Sequence, residues 1–230
     1  MNLFMSRVVI IYGQPGAGKG TEANLLAHLK GFYHFDTGQY LEEMVHDPKF
    51  QNDKIIQGEK KLWDLGKLCT PSWVLEIVKK KVEALDKAGL SVVFSGSPRT
   101  FFEAFGDEKT EGLISYLKKL FGRDNILIFL LKVHPDTTLH RNSNRLVCSL
   151  CGQPILYLPD CIMPYCPFCG GKLRKRILDN PEVIKTRLEE YRSRTSPIFA
   201  KLEEGEYKIH EIDAEPMPEI VFNSLVKFLE

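Results

Sequence analysis

Short apolar runs alternate with helical patterns along most of the chain. The runs are Val8–Tyr12, Tyr33–Phe35, Leu90–Phe94, Asn125–Val133 and Tyr207–Ile212, of which the second and the last are weaker. Between them, apolar residues recur at helical spacing, as Leu25, Leu26 and Leu29 do. This alternation predicts an α/β fold in which a parallel sheet carries helices on both faces, with ligands at the carboxyl ends of the strands.

Two segments differ from this pattern and are predicted to be inserts. Residues 37–70 are helical in pattern, and Asp36 and Gln39 have the spacing of a helix-capping pair. Residues 148–171 are rich in Cys, Pro and Gly and have no helical period. After them, Asp179-Asn180-Pro181-Glu182 has the cap, the early proline and the early acid of a helix start.

Composition is ordinary for a globular protein and excludes few classes. The chain has 230 residues, 43% of them hydrophobic and 27% charged, which suits one large domain or a core with small inserts. A net charge of +1 gives no electrostatic reason to expect nucleic acid or an anionic membrane as a partner. The N-terminal apolar segment is too short for a signal peptide or a membrane span, so we expect a soluble cytoplasmic protein.

The most informative stretch is the glycine-rich GQPGAGKGT, which runs from Gly13 to Thr21 between a predicted strand and a predicted helix. Glycines let backbone N–H groups point at an anion, and the helix N-terminus adds a favourable dipole. Lys19 can reach the outer phosphates of a nucleotide, and Thr21 can place a hydroxyl near Mg²⁺. The stretch therefore predicts binding of a nucleoside triphosphate.

Four cysteines have the spacing of a metal site. Cys148-x-x-Cys151 and Cys166-x-x-Cys169 are separated by 14 residues, close to the spacing of a four-thiolate zinc site. A dithiol or disulfide pair is the weaker alternative in a cytosolic protein. A closed four-sulfur site leaves no position for a substrate water, so the zinc would be structural. Cys161 could compete as a ligand, although its spacing to Cys166 is poor.

Arginines are the residues that phosphoryl transfer between nucleotides would require, since several negative charges must be brought together. Arg99 directly follows a predicted strand, and Arg141 and Arg145 lie four apart on a predicted helix, where they are expected to share a face. Arg176 lies just before the helix that is predicted to start at Asn180, and Arg187 lies within that helix. The alternative is that most of them are solvated surface residues, and composition alone does not separate the two cases.

An ordered series of segments resembles the adenylate kinase family and its close nucleoside monophosphate kinase relatives over nearly the whole chain. Besides the loop at 13–21, the matching segments are Asp36-Thr37-Gly38, Gly66-Lys67-Leu68, Gly96-Ser97-Pro98-Arg99-Thr100, Asn144-Arg145-Leu146-Val147, the cysteine insert, Arg176-x-x-Asp179 and Arg187-Leu188. Their order and spacing together are specific, although no single segment is decisive. The resemblance implies a P-loop kinase core with two inserts.

The resemblance implies a role for each matching position. The implied ATP-binding residues are Gly16, Ala17, Gly18, Lys19, Gly20, Thr21 and Arg145. The implied monophosphate-binding residues are Thr37, Lys67, Leu68, Cys69, Gly96, Arg99, Glu103, Arg176 and Arg187. Lys19, Arg99, Arg145, Arg176 and Arg187 would be catalytic, with Mg²⁺ bound alongside ATP and no general base. The core would comprise 1–36, 71–146 and 179–230, with a monophosphate-binding flap at 37–70, a zinc-binding lid at 147–178 and a monomeric state.

The chain also departs from the family pattern. Glu42 stands where the family has an arginine facing the acceptor phosphate, Ser95 where it has the aspartate that supports Mg²⁺, and Ser149 where it has an arginine that touches ATP. Ser97 replaces a phenylalanine, and Glu103 replaces the glutamine that reads adenine. We expect AMP as the acceptor. The alternatives are a kinase that prefers GMP, CMP or UMP, and a catalytically weak nucleotide-binding regulatory or assembly module.

Overall fold

The protein is described by a computed structural model that covers residues 6–155, 163–175 and 177–229. The strands, numbered along the chain, are β1 (Val8–Gly13), β2 (Tyr33–Phe35), β3 (Val92–Phe94), β4 (Ile126–Lys132), β5 (Leu146–Cys148), β6 (Pro154–Ile155), β7 (Leu173–Arg174) and β8 (Ile209–Asp213). The α-helices are α1 (Lys19–Lys30), α2 (Thr37–His46), α3 (Lys54–Asp64), α4 (Pro71–Lys87), α5 (Phe101–Phe105), α6 (Leu113–Phe121), α7 (Pro135–Asn144), α8 (Pro181–Glu190), α9 (Pro197–Glu204) and α10 (Pro218–Val226).

The main sheet is parallel throughout and has the strand order β2-β3-β1-β4-β8. All of the predicted strand regions contribute to it, including the weak Tyr33–Phe35 and Tyr207–Ile212 runs, which supply the two edges. Because the strands are parallel, their carboxyl ends lie at one edge of the sheet. The segments that follow β1, β2 and β3 therefore meet there.

Helices cover both faces of the sheet, as the alternation predicts. Alternate residues of β1 point to opposite sides: Val8 and Ile10 belong to the core beneath α4, α6 and α9, whereas Val9 and Ile11 belong to the core beneath α1 and α10. Each of these four side chains is at most 2% exposed. The two-sided burial explains why β1 and β4 are continuous apolar runs rather than alternating ones.

The segment 37–70 is helical, as predicted, and forms the two α-helices α2 and α3. Asp36 caps α2 by accepting a hydrogen bond from the Gln39 N–H, as the pattern predicts, but the Gln39 side chain donates to Glu43 instead of returning to the cap. The helix ends at His46, directly before a 3₁₀ turn that begins with Pro48. Asp53 then caps α3.

The cysteine-rich segment carries its own small antiparallel sheet, with strand order β6-β5-β7. The 3₁₀ turn Ile177–Asp179 leads from it to α8, which Asn180 caps as predicted. A π-helical turn of five residues, Tyr191–Thr195, directly follows α8 and precedes α9. Among the described residues, no helix combines the length and the apolar character needed to cross a membrane.

Candidate active site

A cleft of about 1150 Å³ opens at the carboxyl edge of the main sheet. The glycine-rich loop, α2, the segment after β3, the start of the small sheet and α8 all contribute to its walls. The sequence-predicted positions that line it are Gly16, Ala17, Gly18, Lys19, Gly20, Thr21, Thr37, Lys67, Leu68, Cys69, Gly96, Arg99, Glu103, Arg145 and Arg187. Arg176 lies outside the described residues, so its placement stays a prediction.

The glycine-rich loop has the backbone conformation of a phosphate cradle. Gly16 has φ of 90° and Gly18 has φ of 91°, values that side chains with a Cβ rarely adopt. A Cβ on Gly16 would also lie 2.6 Å from the Asn142 Nδ2 atom. That amide donates to the Pro15 carbonyl at 2.9 Å and so ties the loop to α7. Backbone with glycines in such conformations can point successive N–H groups at an anion.

Lys19, the first residue of α1, is turned back over the loop. Its ammonium donates to the carbonyls of Gly13 at 2.8 Å and Gln14 at 2.9 Å. Burial lowers the pKa of Lys19 well below the usual lysine range, and three nearby cations lower it further: Arg99, Arg187 and Arg145. Four positive side chains therefore act on one another at this end of the cleft. Such an arrangement is stabilised by a polyanion placed among them.

Both the side chain and the main chain of Arg99 are held by hydrogen bonds, and two glycines leave room for its guanidinium. Its Nε donates to the Gly96 carbonyl at 2.6 Å, and its own carbonyl accepts from the Thr195 hydroxyl at 2.7 Å. A Cβ on Gly96 would lie 2.9 Å from Arg99 Nη2, and one on Gly38 would lie 3.3 Å away. The guanidinium thus lies against bare backbone, with the π-helical turn after α8 holding its main chain.

Asp179 joins two of the predicted arginines. Its Oδ2 accepts from Arg145 Nε at 2.8 Å, its Oδ1 accepts from Arg145 Nη2, and Arg187 Nη1 lies 3.6 Å from Oδ1. The Asp179 side chain is only 2% exposed. A bidentate, buried carboxylate orients both guanidinium groups toward the same end of the cleft.

One expectation about these arginines is wrong. Arg141 and Arg145 do not share a helix face, because α7 ends at Asn144 and Arg145 is the extended residue that follows it. Arg141 remains on α7 and donates to the carbonyls of Ala214 and Glu215, at 2.9 Å each. It therefore braces the loop between β8 and α10.

The wall around the monophosphate positions is buried. Thr37 is 1% exposed, and its Oγ1 has no hydrogen-bond partner among the described residues. Cys69 is 4% exposed, packs in the main core as a small hydrophobe and has a pKa that burial raises to about 12. Lys67 and Leu68 line the cleft just before it.

Glu103 is held in place by the segment it follows. Its Oε2 accepts from the Arg99 N–H at 2.9 Å, and its Oε1 accepts from the Thr100 hydroxyl at 2.9 Å. Thr100 in turn caps α5 by accepting from the Glu103 N–H. Burial raises the pKa of Glu103, although these hydrogen bonds oppose the shift. The carboxylate lines the cleft while both of its oxygens already serve the loop that carries Arg99.

The structure adds polar residues that the motif analysis missed. His34 lies between Asn24 and Ser95: its Nδ1 is 2.7 Å from Asn24 Oδ1, and its Nε2 is 2.7 Å from Ser95 Oγ. Glu22 is 2% exposed, and burial raises its pKa to about 8. All four line the cleft. The sequence shows that polar residues lie near the glycine-rich loop, but it does not show which of them contact one another. That depends on how the strands and α1 pack.

The other departures from the family pattern also have defined surroundings. Ser149 donates its hydroxyl to the Lys172 carbonyl at 2.8 Å, which ties the two cysteine turns together. Glu42 and Ser149 both line the cleft. Ser97 is 4% exposed, and its Oγ has no hydrogen-bond partner among the described residues.

The four predicted cysteines come together at the tip of the small sheet. Their sulfur atoms all lie within 4.8 Å of one another, with Cys148 Sγ 3.4 Å from Cys169 Sγ and Cys151 Sγ 3.7 Å from Cys166 Sγ. A tetrahedral zinc with Zn–S bonds of about 2.3 Å places its sulfurs about 3.8 Å apart, so the spacing fits that ion. The N–H groups of Cys151 and Leu150 point at Cys148 Sγ and hold its pKa below that of a free thiol. Cys161 lies outside the described residues.

Comparison with known proteins agrees with this geometry. The family model described as adenylate kinase matches residues 11–206. The chain is 33% identical to an adenylate kinase of Caldicellulosiruptor saccharolyticus over 193 residues, 83% of this chain and 84% of the relative. It is 30% identical to an adenylate kinase of Chlamydia pneumoniae over 220 residues, 96% of each chain. An adenylate kinase of Pelobacter propionicus is 34% identical over 194 residues, 84% of this chain and 83% of the relative.

Proposed function

Since the chain belongs to the adenylate kinase family, and is therefore a nucleoside monophosphate kinase, we propose that it transfers the terminal phosphoryl group of Mg²⁺-ATP reversibly to AMP and so forms two ADP. The observation that carries this proposal is that Lys19, Arg99, Arg145 and Arg187 line one cleft, and that Asp179 holds the last two together. Phosphoryl transfer needs positioning and charge neutralisation more than acid–base chemistry, because the acceptor is already an anion.

On the donor side, the loop from Gly16 to Thr21 binds the ATP phosphates through its backbone N–H groups and the N-terminus of α1. Lys19 binds the transferred group, and Arg145 lies against ATP. Thr21 and Ser95 offer hydroxyl oxygens to the cleft, a hard donor type that suits Mg²⁺ and its waters. Mg²⁺, when bound with ATP, neutralises charge on the outer phosphates.

On the acceptor side, Arg99 binds the phosphate of AMP, and the backbone at Gly96 and at Lys67–Cys69 forms the wall around the nucleoside. Thr37, which lines the cleft, contacts the base or ribose side of that nucleoside. Arg187, held against Asp179, bridges the reacting phosphates, and Arg176 is proposed to act with it. Glu103 accepts from the adenine amino group with the lone pairs that its two hydrogen bonds leave over.

We assign the core to residues 1–36, 71–146 and 179–230, the flap to 37–70 and the lid to 147–178. The cleft opens between these parts, and α2 and the small sheet contribute to its walls. Closing the flap and the lid over bound nucleotides would exclude water, which protects the transferred phosphoryl group from hydrolysis.

The four cysteines are proposed to hold a structural Zn²⁺ in the lid. Their sulfur spacing fits a tetrahedral ion, and a four-sulfur shell leaves no position for substrate. The metal would stiffen two turns that have little core of their own, since the buried apolar cluster among the described residues there is Ile155 with two of the cysteines, Cys148 and Cys166. We further expect a monomer in the cytoplasm that needs neither nucleic acid nor a membrane as partner.

The test is a coupled assay of ADP formation from ATP with AMP, GMP, CMP and UMP in turn. We expect AMP to be the fastest acceptor and magnesium to be required. Faster turnover with another monophosphate would favour the kinase with a different base preference. Tight ATP binding without turnover of any acceptor would overturn the proposal in favour of a regulatory or assembly module.

A further inference from the structure

The residue that directly follows β3 is a serine, Ser95, and its hydroxyl is not isolated. Ser95 Oγ lies 2.7 Å from His34 Nε2, and His34 Nδ1 lies 2.7 Å from Asn24 Oδ1. The three side chains come from α1, β2 and the segment after β3, and all three line the cleft. This chain of hydrogen bonds is built from three separate elements, so it fixes their side chains relative to one another.

From this geometry we infer that Asn24 and His34 are positioning residues that turn Ser95 into an acceptor for a water of the Mg²⁺ that enters with ATP. The inference rests on the proposed function and deepens its magnesium site. P-loop proteins hold Mg²⁺ with the loop hydroxyl and with an acidic side chain from the adjoining strand. Here β3 adjoins β1, and Ser95 is the residue that directly follows it.

The direction of the hydrogen bonds follows from the partners. The carbonyl oxygen of Asn24 only accepts, so His34 Nδ1 must carry the ring proton of the neutral imidazole. His34 Nε2 is then bare and accepts the Ser95 hydroxyl proton. With its proton committed to His34, Ser95 Oγ can only accept from any further partner. The side chain thus acts as the acidic residue would, but without the negative charge.

Helix α1 connects this chain to the loop hydroxyl. Thr21 and Asn24 are three residues apart on α1, so they lie on the same face of the helix. Both line the cleft, as Ser95 does. One helix face therefore carries the hydroxyl that binds Mg²⁺ and the amide that sets the histidine tautomer.

The first test reads the tautomer directly. In ¹⁵N-histidine-labelled protein, with the His34 signals assigned by their loss in His34→Gln, we expect a protonated Nδ1 and a bare Nε2 in nucleotide-free enzyme at neutral pH. A protonated Nε2 would overturn the inference, because Ser95 would then be free to donate into the cleft. This measurement does not depend on turnover.

The second test compares ATP affinity with and without Mg²⁺ by titration calorimetry. In Ser95→Ala and Asn24→Leu, we expect the gain in affinity that Mg²⁺ gives to fall by about five-fold, the equivalent of about one hydrogen bond, while metal-free ATP affinity stays within two-fold. Ser95→Thr keeps the hydroxyl, so it should restore most of the gain. The matched control is His28→Gln, on the exposed side of α1.

The outcomes separate this inference from the proposed function. An unchanged magnesium effect in the folded Ser95→Ala and Asn24→Leu variants would overturn the positioning role while leaving the kinase assignment intact. Failure of wild-type enzyme to bind ATP at all would instead contradict the donor site. Thermal melting of each variant verifies folding, and Ser95→Ala, which removes a single oxygen, keeps the test decisive if Asn24→Leu does not fold.

Discussion

Arg145 and Asp179 form a two-pronged ion pair that joins the chain before β5 to the chain after β7. Nε donates to Oδ2 at 2.8 Å, and Nη2 donates to Oδ1. The pair therefore closes the base of the small sheet that carries the cysteines, and it does so with a carboxylate that is buried. The proposed lid is thus tied at its two ends to one point beside the proposed phosphate site.

Replacing Asp179 should weaken the link between the two ends of the proposed lid. In Asp179→Asn the amide cannot accept from two guanidinium groups as a carboxylate does, and we expect a loss of about 2 kcal/mol in the free energy of unfolding. Turnover should fall by at least about ten-fold, because Arg145 and Arg187 lose their orientation. Denaturant melts and steady-state rates measure the two effects. The control is Glu83→Gln, which breaks the exposed ion pair between Glu83 and Lys87 on α4. It should change neither the free energy of unfolding nor turnover.

Lys19 is expected to act through its charge. In Lys19→Met we predict a fall in kcat of about 10²–10³, the usual cost of removing one group that stabilises developing charge. The fold should persist, since the loop stays fixed to α7 through Asn142. Lys30→Met, at the other end of α1, is the matched control, and near-normal turnover in Lys19→Met would contradict the assigned role.

Glu103 is predicted to influence the choice of acceptor. A carboxylate only accepts hydrogen bonds, whereas the amide of Glu103→Gln both donates and accepts, which suits the N1 and amino groups of adenine together. We expect the rate with AMP to rise relative to the rate with GMP. The amide also loses one of the two contacts to Arg99 and Thr100, so stability should drop by about 1 kcal/mol. Rates with all four monophosphates decide the first point, and an unchanged ranking would refute it.

Glu22 gives a pH-dependent prediction. Burial raises its pKa from 4.5 to about 8, so the folded state holds a proton that the unfolded chain releases. Its stabilising contribution is complete below pH 4.5 and is lost as the pH rises toward 8. In nucleotide-free protein, Glu22→Gln should therefore gain stability over wild type by on the order of 2 kcal/mol between pH 5 and pH 8. Denaturant melts at both pH values test this, with the exposed Glu219→Gln as the charge-matched control.

The cysteine cluster gives a prediction about metal. Freshly reduced protein should contain about one zinc per chain, and a strong chelator should lower its melting temperature. Cys148→Ser or Cys166→Ser should lower the melting temperature and abolish the response to the chelator. Metal analysis that finds no zinc would refute the site, and a chelator response that persists in both variants would point to a different ion position.

The sequence predicts those parts of the fold that are set by local patterns. The continuous apolar runs of β1 and β4 identify buried parallel strands, and the glycine spacing before Lys19 identifies the phosphate loop, because both requirements are met within a few residues. The cysteine spacing similarly predicts the cluster of four sulfurs, which two short turns bring together.

What the sequence could not supply are the pairings between distant elements. Asn24, His34 and Ser95 meet only because β2 lies next to β3 and α1 packs beside β2, so no spacing along the chain indicates them. The end of α7 before Arg145 was also missed, since a bidentate partner in a later segment holds that arginine in extended backbone. Tertiary contacts decided both cases against the local pattern.

Gly38 and Gly96 have no side chains, and this leaves room for the Arg99 guanidinium against their backbone. At Gly96 a methyl group would fall 2.9 Å from Arg99 Nη2, so alanine there would push the guanidinium aside without touching any charge. At Gly38 it would fall 3.1 Å from Asp36 Oδ1 and 3.3 Å from Nη2, so alanine there would crowd both side chains. A displacement of about 1 Å can cost on the order of 10² in rate. In a mutational scan scored by charge or burial, these positions would look harmless, yet they set where the guanidinium that we propose for the acceptor phosphate comes to rest.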